Sequence, residues 1–270
     1  MEENRDNVGR SDPQPPNLWG SIGRSDPQPP NLGGLFNIPN IITCCNLISG
    51  CIATWHAFQG DPDFALLFII IGAVFDFFDG MTARLLHVSS PIGKELDSLA
   101  DVITFGFAPS AILFSFLSTH TTPVTSHLWI VPFLAFIMAA FSALRLAKFN
   151  LDERQTLGFI GLPTPANALF WGGLLTAMEW QTWFEPYQLP TYYIYIVLAL
   201  LPVSCYLLVS ELPMFALKFK TWGWRGNEVK YIFVLTCIPL ILWQGPLGLA
   251  AAIAWYVVLS VVYALPKKSK

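Results

Sequence analysis

Four aspartates lie close together in the stretch AVFDFFDGMTARLLHVSSPIGKELDSLADVITFG, residues 73–106. They are Asp76, Asp79, Asp97 and Asp101, and apolar residues surround all of them. Helical residues three or four positions apart share a face, so Asp76 pairs with Asp79 and Asp97 pairs with Asp101. Two antiparallel helices would therefore direct four carboxylates into one cavity. Because these carboxylates repel one another, the site favours bound cations, and oxygen-only ligands suit Mg²⁺, Mn²⁺ or Ca²⁺.

Small and basic residues continue this pattern beyond the first pair of acids. Gly80 and Ala83 lie one turn beyond Asp76 on nearly the same helical stripe, and Arg84 follows them. Glycine inside a helix costs about 1 kcal/mol relative to alanine, but its missing side chain lets a ligand approach closely. Arg84 can bind a phosphate. Gly93 lies at the start of the next helix, close to where a charged group could enter. Acids, metals and one arginine together indicate a diphosphate site.

The elements that position these residues are predicted to be membrane helices. Hydrophobic residues make up 54% of the 270 positions and charged residues only 12%, against about 25% in an ordinary soluble domain. The net charge of −3 gives no signature of nucleic-acid binding. Composition therefore predicts an all-α integral membrane protein.

Apolar segments of roughly the 20 residues needed to cross a bilayer follow one another along the chain. We predict eight spans, and the seventh is the shortest. They cover about 39–58, 64–87, 95–118, 128–148, 163–181, 190–210, 229–243 and 246–264.

The distribution of positive charge supports this count. All 15 Lys and Arg residues fall in the N-terminal arm, beside the loops that follow spans 2, 4 and 6, or at the C-terminus. The remaining loops contain none. The positive-inside rule makes the basic side cytoplasmic. Both termini and the aspartate-bearing ends of spans 2 and 3 are therefore predicted to face the cytoplasm.

Residues 1–36 differ from the rest of the chain. This arm is polar and rich in proline, and it contains the direct repeat GRSDPQPPNL at 9–18 and 23–32. It lacks the apolar area for a core, so we predict a disordered cytoplasmic arm, followed by a membrane domain at 37–270.

The complete acidic pattern resembles the signature of the CDP-alcohol phosphatidyltransferases. Its spacing is Asp76-x2-Asp79-Gly80-x2-Ala83-Arg84-x8-Gly93-x3-Asp97-x3-Asp101, which fixes eight positions at set intervals. The resemblance implies a catalytic unit of six helices with a polar cavity facing the cytoplasm, and it implies a homodimer. It also implies an activity: transfer of the phosphatidyl group from a CDP-linked lipid to an alcohol, with release of CMP.

The same resemblance assigns roles to particular residues. Asp76, Asp79 and Asp97 would be the primary ligands of two divalent metals, Mg²⁺ or Mn²⁺. Asp101 would share in metal binding and act as the general base. The cytidine diphosphate pocket would be lined by Gly80, Ala83 and Arg84, and Asp76 and Gly93 would also contact the CDP-linked lipid.

Three further stretches indicate the acceptor alcohol. IPNIITCCNLISGCIA in span 1, ALRLAKFN at 143–150 and GLPTPANA at 161–168 resemble bacterial phosphatidylserine synthases within this family. The implied substrates are CDP-diacylglycerol and L-serine, and the implied location is the bacterial cytoplasmic membrane. The serine carboxylate calls for a cationic contact, for which the candidates are Arg145, Lys148 and Arg154. Asn40 and Thr43 are candidates to hydrogen-bond phosphate from span 1.

Two alternatives remain open at this point. The same chemistry could use another acceptor, such as glycerol phosphate or inositol. A divalent-cation transporter could instead use the four acids as its ion site, since paired aspartates also occur in transporters. Release of CMP separates the enzyme from the transporter, and acceptor competition separates serine from other alcohols.

Overall fold

A computed structural model describes residues 36–87, 90–120, 129–151, 159–184, 192–215, 223 and 227–264. Within these ranges the chain forms one compact unit of helices. The predicted arm, apart from Phe36, lies outside the described residues, so its disorder stays a prediction.

Helices account for nearly all of the described structure. The elements that form the site come first: α1 (Ile38–Phe58), α2 (Pro62–Leu85), α3 (Pro91–Asp101), a π-helix (Val102–Phe107) and α4 (Ala108–His120). The remaining helices are a 3₁₀-helix (Val131–Ala135), α5 (Phe136–Leu151), α6 (Thr164–Phe184), α7 (Tyr192–Val209), α8 (Glu228–Gln244) and α9 (Pro246–Ala264). The two short strands β1 (Phe159–Ile160) and β2 (Pro213–Met214) pair antiparallel.

The three helices that carry the site begin in the same way. Asn37, Asp61 and Ser90 precede α1, α2 and α3, and each side chain accepts a hydrogen bond from a backbone N–H in the first turn. A proline occupies the first or second helical position in all three cases. Proline is tolerated there because the first N–H groups of a helix have no intrahelical acceptor. Local sequence therefore fixes where each of these helices starts.

The predicted all-α membrane fold is confirmed. Each predicted span coincides with a helical segment, and the largest shift is at the third, predicted from 95 and found from Pro91. Among the described residues, six of these segments are long and apolar enough to cross a membrane: Ile38–Phe58, Pro62–Leu85, Pro91–His120, Val131–Leu151, Tyr192–Val209 and Pro246–Tyr263. The count of eight stays a prediction, because α8 has only 17 residues and α6 carries Glu179 and Gln181 among its apolar residues.

Small residues bring α1 and α2 together. Ala53 and Ala57 on α1 and Ala65 on α2 are fully or almost fully buried, and the pair makes the most extensive helix contact in the described fold. The core continues through Phe105, Leu113 and Trp171. The small residues allow α1 and α2 to approach each other closely, and the π-helix packs against both of them.

Candidate active site

The acidic side chains of α2 and its large apolar side chains lie on different faces of the helix. Asp79 is buried, whereas Phe77, Phe78 and Met81 are exposed to an extent of 40% or more. This arrangement reverses that of a soluble amphipathic helix: the acids face protein and the large apolar side chains face outward. A membrane environment accounts for this reversal, because lipid covers apolar side chains at no cost.

Three of the four aspartates converge. Asp76, Asp97 and Asp101 each offer a carboxylate oxygen, and these oxygens all lie within 4.8 Å of one another. Asp101 is buried, and Oδ1 of Asp97 is a buried atom without a hydrogen-bond partner among the described residues. Two unit charges at this separation repel by roughly 3 kcal/mol at an effective dielectric constant of about 20. A bound divalent cation would relieve this repulsion, and the oxygen-only donors of the cluster fit Mg²⁺ or Mn²⁺.

Asp79 lies at the wall of an adjoining cavity. Its Oδ2 accepts a 2.6 Å hydrogen bond from Thr43 Oγ1. The sequence pattern groups all four acids, whereas in the structure Asp79 lies outside the cluster of Asp76, Asp97 and Asp101. The cavity volume is about 330 Å³, within the range of roughly 300–1,000 Å³ that is usual for ligand pockets.

Most of the residues predicted to bind the CDP-linked lipid line this cavity. Its walls are formed by Asn37, Pro39, Asn40, Thr43, Asp79, Gly80, Ala83, Ser90, Gly93, Lys94 and Asp97. Gly80 presents an open surface, since an added Cβ would meet only Arg84 Nη2, at 3.9 Å. At Gly93 an added Cβ would lie 3.0 Å from Asn40 Oδ1, so glycine permits this close contact between α3 and α1.

Arg84 follows the lining residues Gly80 and Ala83 on α2 but does not itself line the cavity. Its side chain is exposed and turns back along α2, where Nε donates a 2.8 Å hydrogen bond to the carbonyl of Gly80. The guanidinium therefore stands beside the open face of Gly80, and its other N–H groups have no hydrogen-bond partner among the described residues.

The three candidate acceptor-binding residues differ in their surroundings. Arg145 on α5 is buried, interacts electrostatically with Asp101 and Asp76, and lies over the Phe149 ring at 5.1 Å. Lys148 instead forms an ion pair of 3.2 Å with Glu211, beyond the end of α7. Arg154 lies outside the described residues.

Several residues of the site were not predicted from the sequence. Ser90 and Lys94 line the cavity, and Asn46 donates a 3.2 Å hydrogen bond from Nδ2 to Asp101 Oδ1. A sequence signal for Asn46 exists: the buried polar residues of α1 recur every three positions, at Asn40, Thr43, Asn46 and Ser49. Such a polar series inside a membrane helix indicates a functional face.

The fold and site define a helical membrane protein with a cluster of carboxylates beside a polar cavity. The sequence profile of CDP-alcohol phosphatidyltransferase matches residues 36–263. The chain belongs to this family, and the resemblance read from the acidic motif is confirmed.

Curated relatives agree on one activity in their names. Three of them, each called CDP-diacylglycerol–serine O-phosphatidyltransferase, come from Bacillus subtilis, Mycobacterium leprae and Helicobacter pylori. The Bacillus protein is 41% identical over 128 residues, which cover 47% of this chain and 69% of that protein. The Mycobacterium protein is 34% identical over 161 residues (54% of this chain, 51% of that protein). The Helicobacter protein is 32% identical over 137 residues (50% and 55%), so the chain spans about half the length of these last two relatives.

Proposed function

We propose that the protein transfers the phosphatidyl group from CDP-diacylglycerol to L-serine, giving phosphatidylserine and CMP. The observation that carries the proposal is the convergence of Asp76, Asp97 and Asp101 beside a cavity lined by Gly80, Ala83 and Gly93. The proposed acceptor follows from the names of the relatives and from the buried cation Arg145 near the carboxylates.

The cavity residues bind and orient the nucleotide lipid in this proposal. Gly80 and Ala83 leave space for the cytidine diphosphate, and Arg84 donates to a phosphate oxygen from its position beside Gly80. Asn40 and Thr43 line the same cavity from α1. A divalent metal held by the aspartates would neutralise charge on the diphosphate and on the departing CMP.

Asp101 acts as the general base in this reaction. It accepts the proton of the serine hydroxyl while that oxygen forms a bond to the lipid-side phosphorus. The bond between this phosphorus and the oxygen of the CMP phosphate breaks, and CMP leaves with the bonding electron pair. Arg145 holds the serine carboxylate by a charge-assisted hydrogen bond, which brings the hydroxyl toward Asp101.

Orientation and assembly belong to the same proposal. The site opens to the cytoplasm, both termini lie on that side, the membrane is the bacterial cytoplasmic membrane, and the protein is a homodimer. The clustering of basic residues on one predicted side supports the orientation. Labelling of introduced single cysteines in sealed vesicles tests the orientation, and light scattering of the purified protein tests the dimer.

The decisive experiment identifies the lipid product. Purified protein is incubated with Mn²⁺, CDP-diacylglycerol and either L-serine, glycerol 3-phosphate or inositol, and lipid products and CMP are measured. We expect CMP and phosphatidylserine with L-serine only. A product with another alcohol would change the acceptor, whereas absence of CMP with every alcohol would contradict the transferase proposal and favour a cation transporter.

A further inference from the structure

A side chain on α1 holds the proposed base. Asn46 is fully buried, and its Nδ2 donates a 3.2 Å hydrogen bond to Oδ1 of Asp101. Oδ1 of Asn46 has no hydrogen-bond partner among the described residues. An unpartnered buried amide oxygen is destabilising, because it has given up its hydrogen bonds to water without gaining another partner. Asparagine at this position therefore lowers the stability of the fold. A role in the site accounts for its presence there.

The backbone at Asn46 is fixed by the same part of the chain. Thr104 on the π-helix donates from Oγ1 to the carbonyl of Asn46 at 3.0 Å. Thr104 fits between α1 and α2 at two glycines: a Cβ on Gly50 would lie 2.8 Å from Thr104 Cα, and a Cβ on Gly72 would lie 2.5 Å from Thr104 Cγ2. Neither glycine can gain a side chain without displacing Thr104.

These two contacts with Asn46 fix how the segment that contains Asp101 and Thr104 is aligned along α1. Asp101 and Thr104 are three residues apart, and both reach Asn46, one through its side chain and the other through its backbone carbonyl. The π-helix starts directly after Asp101, at Val102. Wide helical turns of this kind occur frequently at functional sites, where they change the direction of a side chain. Thr104 therefore determines the position of the π-helix along the axis of α1. This position places Asp101 beside the Asn46 amide.

We propose that Asn46 is a positioning residue that orients the Asp101 carboxylate. Its amide occupies one carboxylate oxygen and leaves the other for the metal and the acceptor proton. The proposal rests on the proposed function of Asp101. Groups that orient metal ligands typically change metal affinity or activity by about 10- to 100-fold when removed.

The test combines Asn46→Ala and Asn46→Leu with Asp101→Asn. CMP release is measured with the acceptor that wild type uses, together with Mn²⁺ binding to substrate-free protein and the thermal unfolding temperature. Asn46→Leu keeps the volume and removes the amide, so it decides the outcome if Asn46→Ala fails to fold. Thr54→Ala is the matched control, because Thr54 also lies on α1 but is outside this polar series, and its hydroxyl donates to Gly50 O within the helix.

We expect Asn46→Leu to lower kcat about 10- to 100-fold and to weaken Mn²⁺ binding about tenfold. In the Asp101→Asn background the same change should cause almost no further loss of kcat, since interacting residues are non-additive. An equal loss of kcat in both backgrounds, or a normal kcat in Asn46→Leu, would overturn the proposal. Absence of CMP release by wild type would instead contradict the proposed function.

Discussion

Thr43 on α1 and Asp79 on α2 are joined by a hydrogen bond of 2.6 Å between Oγ1 and Oδ2. Asn46, one turn further along α1, holds Asp101 in a similar way. Helix α1 carries none of the four aspartates, yet it holds one from each acidic pair. The candidate metal site is therefore built from three helices, and the orientation of its carboxylates depends on the position of α1.

Metal dependence is the first prediction. Three carboxylate oxygens within 4.8 Å of one another need a compensating cation before an anionic diphosphate can bind beside them. We expect CMP release to stop in excess chelator and to return when Mg²⁺ or Mn²⁺ is added. Undiminished release in chelator would contradict the metal centre. Zn²⁺ is the informative comparison, since an all-oxygen site is poorly suited to it.

The second prediction concerns Asp101. Asp101→Asn keeps the size of the side chain and removes the base, so kcat should fall by about 10²–10⁴, the usual contribution of general-base catalysis. CDP-diacylglycerol should still bind, because the cavity wall is formed by other residues. A kcat close to that of wild type would remove Asp101 from the mechanism.

Asp63→Asn is the matched control for this change. Asp63 lies in the first turn of the helix that carries Asp76 and Asp79, but at the opposite end, where it accepts a hydrogen bond from Trp180. We expect its kcat to stay within about twofold of wild type, because Asp63 lies at the other end of α2 and asparagine keeps the oxygen that accepts this hydrogen bond.

The third prediction separates two cations on α5. Arg145 is buried and interacts electrostatically with Asp101, whereas Lys148 pairs with Glu211. Arg145→Met keeps the length of the side chain and removes its charge. We expect it to raise the KM for serine at least tenfold, since loss of a charged hydrogen bond costs about 1.5–3 kcal/mol. The KM for CDP-diacylglycerol should change much less.

Lys148→Met serves as the control for Arg145→Met and should have the smaller effect on the KM for serine. Serinol, which lacks the carboxylate, provides a second comparison. Wild type should use serinol poorly, and Arg145→Met should lose most of this discrimination. Equal rates with serine and serinol in wild type would contradict a carboxylate contact.

The sequence predicts the helices and the aspartate pairs for a clear physical reason. Apolar length determines the spans, and the 3.6-residue period determines which residues share a face. The pairing of Asp76 with Asp79 and of Asp97 with Asp101 depends only on this local geometry. Asp76, Asp97 and Asp101 converge because α2 and α3 both pack against α1.

Contacts between distant segments could not be predicted in the same way. Lys148 and Glu211 are 63 positions apart, and nothing local connects them. The contact of Asn46 with Asp101 depends on the fit of Thr104 between Gly50 and Gly72, which lie on two different helices. Such a fit depends on three-dimensional packing, and a one-dimensional pattern contains no direct record of it.

The last prediction compares two glycines that both lie inside helices. A Cβ at Gly50 would collide with the backbone of Thr104, at 2.8 Å from its Cα, whereas a Cβ at Gly80 would face open space in the cavity. Gly50→Ala should therefore lower the thermal unfolding temperature, with a cost of about 1–3 kcal/mol for overpacking. It should also lower kcat, because Thr104 is displaced and Asn46 moves away from Asp101.

Gly80→Ala should show the opposite combination. Alanine favours the helix by about 1 kcal/mol over glycine, so the unfolding temperature should stay the same or rise. The new methyl group occupies space proposed for cytidine diphosphate, so the KM for CDP-diacylglycerol should rise while the KM for serine changes little. A destabilised Gly80→Ala protein would contradict the open cavity wall, and an unchanged KM for CDP-diacylglycerol would place the nucleotide elsewhere. The two substitutions are chemically identical, and the difference between their effects separates the packing of the π-helix from the binding of the lipid substrate.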